Sequence, residues 1–179
     1  MNPIEFLGRM TALDILLVIL WVAAVAFGWN SGILRQLFLL GSILAAGIVA
    51  NAVTFEASYW TGVVSGAGRE RMLPFTYTLL VVLIAGVIFL LTVRSYPYTR
   101  LLRHQGPDRV VGAVLGFVVG LLTVNLLAGI LLLTTNEPWI ALDGARVNIR
   151  QQLDSTPFLP LVANTFPFVS SIVRNLLPA

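Results

Sequence analysis

The stretch that decides the fold is DRVVGAVLGFVVGLLTVNLLAGILLLTT, residues 108–135. After its first two residues it is apolar almost throughout, and it carries glycines at a spacing of four: Gly112, Gly116 and Gly120. That spacing places the glycines on one helix face. Lipid tails give helices no hydrophobic reason to associate, so small residues on one face are what lets two helices pack closely in a membrane. The stretch therefore predicts a membrane-spanning helix whose packing partner lies in this chain, in a second copy or in another membrane protein.

The composition of the whole chain agrees with a membrane protein. Of its 179 residues, 58% are apolar and 11% are charged, whereas soluble proteins carry about 25% charged residues. All 11 cationic side chains are arginine, and the formal charge of +3 is too small and too scattered for a nucleic-acid surface. With no cysteine and one histidine, the chain has no disulfide, no thiolate nucleophile and no multi-histidine metal site.

Three further apolar segments complete the membrane part: Leu13 to Phe27, Ile33 to about Phe55, and Leu73 to Val93. The turn residues of Gly28-Trp29-Asn30-Ser31-Gly32 separate the first two. We therefore predict an all-α polytopic membrane protein with about four transmembrane helices in residues 1–136 and an amphipathic helical tail in residues 137–179. The first segment is short for a span, and Ala24-Val25-Ala26 is compatible with signal-peptide cleavage. Because the residues before it carry no net positive charge, we expect a retained helix.

The charges of the loops predict the topology. Residues 94–109 carry four arginines against one acid, Asp108, whereas residues 56–71 are almost balanced in charge. Cytoplasmic loops are enriched in arginine and lysine. We therefore expect residues 94–109 in the cytoplasm and, by alternation, residues 56–71 and both termini outside. If the first two segments form a re-entrant hairpin instead, only the N-terminus changes sides.

The tail shows two amphipathic patterns separated by prolines. Apolar residues recur at steps of three or four from Trp139 to Leu153 and again from Val162 to Leu176. Arg150 and Asp154 stand at i and i+4, where an ion pair is expected. Such helices either lie in the plane of the membrane interface or pack on the protein itself, and the sequence leaves both possibilities open.

Four polar side chains lie in or beside the predicted spans. We expect Asp14 either at the interface, where a carboxylate favours a helix N-terminus, or in a buried ion pair with Arg35. Arg35 can otherwise reach lipid headgroups. Asp108 is expected to cap the fourth helix, because aspartate is a preferred N-cap residue. Asn125 is the only amide of its span, and we expect it to bond a neighbouring helix, with the lining of a pathway as the alternative.

No set of residues in the sequence indicates catalysis. His104 lacks the nucleophile and orienting carboxylate of a triad, and Ser155 lies outside any nucleophile motif. We therefore expect a solvated histidine and a helix-ending serine. Phosphate-binding loops, dinucleotide fingerprints and paired metal-ligand motifs do not occur in the sequence. We expect no enzyme activity, no cofactor and no metal site.

The order of these parts resembles the colicin V production protein (CvpA) family. The resemblance rests first on Asp108-Arg109-x-x-Gly112-x-x-x-Gly116-x-x-x-Gly120. It rests also on the start of the chain, where Leu13-Asp14 and an apolar span precede Gly28-x-x-x-Gly32-x-x-Arg35-Gln36, and on Ser155-x-Pro157 in the tail. Ser31 departs from the pattern, since the family usually has a basic residue just before the second of these glycines.

The resemblance implies a bacterial inner-membrane protein with several spans and no established catalytic activity. Family members are associated with production or export of the toxin colicin V and with envelope stress. The first functional hypothesis is therefore a scaffold or accessory protein, in contact with the lipid bilayer and with itself or another membrane protein. The alternative is a small transporter or channel, for which Asp14, Arg35 and Asn125 are the candidates for a polar path.

Overall fold

The computed structural model describes residues 10–66, 68–95, 105–136 and 143–178. These residues form six helices: α1 (Ala12–Ser65), α2 (Arg69–Ser95), α3 (Gln105–Asn136), α4 (Asp143–Ser155), α5 (Phe158–Thr165) and α6 (Pro167–Leu176). The first three are long and apolar enough to cross a membrane. The predicted all-α membrane fold is confirmed. His104, Trp139 and most of the arginine-rich loop lie outside the described residues.

Helix α1 contains both of the first two predicted segments and is broken once, at Gly32. The backbone of Gly32 has φ 77° and ψ 178°, outside the helical region. Only glycine adopts such a positive φ without strain. The helical run before the break, residues 12–31, is about 30 Å long, and the run after it, residues 33–65, is about 50 Å long. Each run is therefore long enough to cross a hydrocarbon core of about 30 Å.

The predicted connection 56–71 is mostly wrong. Helix α1 continues to Ser65 and ends at Gly66, which adopts the left-handed conformation with φ 69°. Helix α2 then begins at Arg69 rather than at Leu73. The hydroxyls in the last turns of α1 donate to carbonyls three or four residues earlier, as Ser58 does to Phe55 at 2.9 Å. Such bonds satisfy the hydroxyl groups within the helix, so these polar residues do not end α1.

The first run of α1 lies antiparallel to α3. Gly28 faces Gly112 and Gly116, whereas Trp21, two turns earlier, faces Gly120. The break at Gly32 therefore lies beside the start of α3. The second run then leads back to the other end of the bundle, where Gly47 contacts Leu176 of the tail. The single-residue break thus reverses the direction of the chain.

The tail packs into the bundle rather than lying free of it. Phe158 at the start of α5 is 6.0 Å from the ring of Trp21, and Phe166 between α5 and α6 is 5.7 Å from the ring of Phe117. Five apolar side chains of α5 and α6 are buried: Phe158, Val162, Val169, Val173 and Leu176. The sequence left open whether the tail lies in the membrane interface or packs on the protein. The described tail residues pack on the protein.

Candidate functional site: a glycine contact closed by buried polar groups

The central contact of the molecule joins the glycines of α3 to the first run of α1. A Cβ atom built on Gly116 would lie 2.6 Å from the carbonyl oxygen of Ala24 and 3.1 Å from the Cα of Gly28. One built on Gly112 would lie 3.0 Å from the Cα of Gly32. These distances are shorter than nearly all contacts of real Cβ atoms, so the two backbones approach this closely only because these positions are glycine. The two glycine motifs that carried the family resemblance thus meet in space.

The indole of Trp21 adds a polar bond to this apolar contact. Its Nε1–H donates to the carbonyl oxygen of Phe117 over 3.2 Å, and its ring packs edge-on against Phe117 with centroids 4.9 Å apart. A buried indole needs an acceptor for its N–H. Because the accepting carbonyl belongs to another helix, the bond fixes the register of α1 against α3.

Asp108 caps a helix other than its own. Its Oδ1 accepts a hydrogen bond from the backbone N–H of Ile33 at 3.3 Å, and the side chain is 7% exposed. Ile33 is the first residue of the second run of α1, where N–H groups have no partner within the helix. Helix α3 itself begins earlier, at Gln105. The expectation that Asp108 caps the fourth span is therefore wrong, and the carboxylate instead closes the break at Gly32.

The break is surrounded by further polar groups. Gln36, which is fully buried, donates from Nε2 to the hydroxyl of Ser31 over 3.2 Å. Ser31 stands where a basic residue is usual in the pattern, and here its hydroxyl accepts from an amide instead. Among the described residues the Oε1 of Gln36 has no hydrogen-bond partner. Arg35 lies half-buried in the same first turn and makes contacts of its own.

Asp14 lies at the opposite end of the first run and is fully buried. It forms a capping box with Thr11, whose N–H donates to Oδ2 over 2.8 Å, while the Thr11 hydroxyl accepts from the N–H of Asp14 over 3.2 Å. Its Oδ1 accepts a hydrogen bond from the hydroxyl of Thr156 in the tail. The helix N-terminal position expected for Asp14 is present, and its side chain is buried within the protein.

The proposed ion pair between Asp14 and Arg35 is not formed. The 18 residues from Asp14 to the break at Gly32 extend about 27 Å along the helix, and Arg35 follows the break. The two side chains therefore belong to opposite ends of the bundle.

Helix α4 supplies hydrogen-bond donors to the C-terminal end of α3. The guanidinium of Arg146 donates to the carbonyl of Thr135 over 3.0 Å, and that of Arg150 donates to the side chain of Asn136 over 2.8 Å. The last carbonyls of a helix lack partners and carry partial negative charge, which cations stabilise. Arg150 also pairs with Asp154 at 3.3 Å, as the spacing predicts. Ser155 ends α4 and donates to Gln151 of the same helix, which confirms its expected role.

A further long-range bond fixes the end of the tail. The hydroxyl of Tyr77 in α2 donates to the carbonyl oxygen of Leu176 over 2.8 Å in a fully buried setting. Nothing in the sequence around Tyr77 marks it for this role. The role of Thr156 was likewise not predicted, although it adjoins Ser155. Gln36 is part of the recognised motif, but no role was predicted for it.

Asn125 makes a different bond from the one expected. Its amide donates to the carbonyl oxygen of Leu121 in its own helix over 2.9 Å. No bond from its amide to another helix occurs among the described residues.

Within the part of the chain that the structure describes, no three acidic or histidine side chains come together as metal ligands.

Long apolar helices, a glycine contact between them and polar side chains turned inward define a polytopic α-helical membrane protein. The chain belongs to a family of such proteins, since the family model described as colicin V production protein matches residues 13–167. That family is not known as an enzyme. No curated protein and no solved structure matches the chain significantly.

Proposed function

We propose that this protein is a non-enzymatic scaffold or accessory subunit of the bacterial inner membrane, acting in toxin production or export and in envelope maintenance. Family membership supplies the toxin context. The observation that carries the scaffold role is the use of the polar side chains in the matched region. Asp14, Asp108 and Trp21 each bond a distant segment of the same chain. These groups serve to hold a defined shape.

A face of α2 is the best candidate for contact with a partner protein. Several large apolar side chains of this helix are exposed: Leu79, Val82, Leu83, Val87, Leu90 and Leu91. They lie in a segment apolar enough to span the membrane, so they face either lipid or another membrane protein. The glycines of α3 are a poorer candidate, because their contact is made within the chain.

A photo-crosslinking amino acid at Leu83 tests this proposal in native membranes. We expect a discrete crosslinked protein band from Leu83 and none from Leu80, which packs against the buried core and serves as the matched control. Deletion of the gene should also reduce toxin export, and expression of the full chain should restore it. Absence of both the band and the export defect would overturn the scaffold role.

We further propose that residues 94–109 lie in the cytoplasm and that the C-terminus lies outside. The four arginines of this segment support the first statement. The reversal at Gly32 beside the start of α3, with the tail at the other end, supports an alternation between the two sides. A reporter active only outside the cytoplasm, fused after Ala179, should be active, and one fused to a chain truncated after Pro97 should be inactive. The reverse pattern would refute the orientation.

The break in α1 gives limited support to the alternative of a small transporter. Broken helices are common in transporters, where they form binding sites near the middle of the bilayer. The break at Gly32 instead lies level with the start of α3, at one end of the bundle. Purified protein in liposomes should therefore conduct no ions or small solutes, and a measurable flux abolished by Gln36→Leu would favour the transporter.

A further inference from the structure

An apolar groove lies on the surface where α1 and α3 meet. It has a volume of about 380 Å³ and is lined by Trp21, Val22, Val25, Ala26, Trp29, Ala113 and Phe117. This volume is at the lower end of the range for small-ligand sites, about 300–1,000 Å³. Trp21 and Trp29 mark its two ends, eight residues apart along α1, or about 12 Å. The groove therefore runs along the helices at the surface of the protein.

A cationic side chain stands at one end of this groove. Arg109 precedes Ala113 by four residues on α3, so both lie on the same helix face, and Arg109 is exposed. Side chains of a helix lean toward its N-terminus, which carries the guanidinium away from the apolar lining and toward the headgroup region. Trp29 lies at the same end, and tryptophan is enriched at membrane interfaces.

We propose that this groove binds one acyl chain of an anionic phospholipid, whose phosphate group is bound by Arg109. An apolar groove facing the bilayer is suited to a hydrocarbon chain, and the guanidinium supplies charge complementarity for an anionic headgroup. The bound lipid belongs to the leaflet at the end of the bundle where Asp108 lies.

Quenching of tryptophan fluorescence by brominated phospholipids tests this site in vesicles. In the groove reporter, Trp60 and Trp139 are replaced by phenylalanine, so that only Trp21 and Trp29 emit. In the matched reporter only Trp60 is kept, which is 65% exposed and lies near the far end of α1. Brominated phosphatidylglycerol and brominated phosphatidylcholine are compared at equal mole fraction. One basic side chain near the membrane surface gives about a fivefold preference for an anionic lipid.

We expect that preference in the groove reporter and equal quenching by the two lipids in the Trp60 reporter. Arg109→Gln should abolish the preference, whereas Arg71→Gln, which removes an exposed charge on α2, should leave it unchanged. Ala113→Leu fills the groove and should reduce quenching by both lipids. Equal preference in both reporters, or a preference that survives Arg109→Gln, would overturn the proposal. So would groove quenching that falls as the protein-to-lipid ratio rises, since a second copy would then occupy the site.

Discussion

Replacing Gly116 by alanine measures how much the glycine contact contributes to the fold. The new Cβ would lie 2.6 Å from the oxygen of Ala24, 3.1 Å from the Cα of Gly28 and 3.2 Å from the Cα of Val25. All three are backbone atoms of α1, so no side chain can rotate away and the helices must separate. Overpacking of this kind costs about 1–3 kcal/mol. Alanine also gains about 1 kcal/mol in helix propensity, which the measurement must separate from the clash.

Gly86→Ala provides that separation. A Cβ at Gly86, in the interior of α2, would meet nothing within 4 Å, so this variant has the propensity gain without the clash. The unfolding free energies of the two variants should therefore differ by about 1–3 kcal/mol, with Gly116→Ala the less stable. Reversible unfolding in mixed micelles by sodium dodecyl sulfate, followed by circular dichroism, gives both values. A difference below about 0.5 kcal/mol would refute the backbone contact between α1 and α3.

Three further substitutions test the polar contacts and the break. Thr156→Val removes the hydroxyl bonded to the buried carboxylate of Asp14 and should lower the unfolding free energy by about 1–3 kcal/mol. Ser155→Ala changes the exposed neighbour and should alter the unfolding free energy little. Equal losses in the two variants would contradict the bond. Gly32→Ala places a Cβ at a φ and ψ that are essentially restricted to glycine, which costs about 1–3 kcal/mol, and brings it against the carboxylate of Asp108. It should destabilise the protein relative to Gly41→Ala, whose Cβ meets nothing. Tyr77→Phe should cost about 1 kcal/mol and speed hydrogen exchange in the last turn of α6; unchanged exchange there would show that the phenol does not anchor the tail.

Local patterns in the sequence predicted the features that depend on local physics. The presence of the apolar helices, the helix face shared by Gly112, Gly116 and Gly120, and a break between Gly28 and Gly32 all follow from periodicity and backbone preference, although the lengths of the helices do not. These same motifs also led to the family. Each depends on residues within one or two turns of one another.

The features that the sequence did not predict depend on contacts between distant residues. Asp108 looks like a cap for its own helix, yet it caps Ile33, 75 positions earlier. Asp14 is recognisable as a residue of a helix N-terminus, but its bond from Thr156, 142 positions later, is not. The N-cap preference of aspartate is the same in either case, and only the packing of the helices decides which N–H group the carboxylate meets.

The cap that Asp108 supplies to α1 sets an order of events during synthesis. The N–H of Ile33 receives its carboxylate only after 75 further residues have been added. Until then the first two runs lack both the glycines of α3 and this cap. The third long helix, α3, therefore supplies the cap for the hairpin formed by the two runs of α1. The tail, which is synthesised after it, then adds the bond from Thr156 to Asp14.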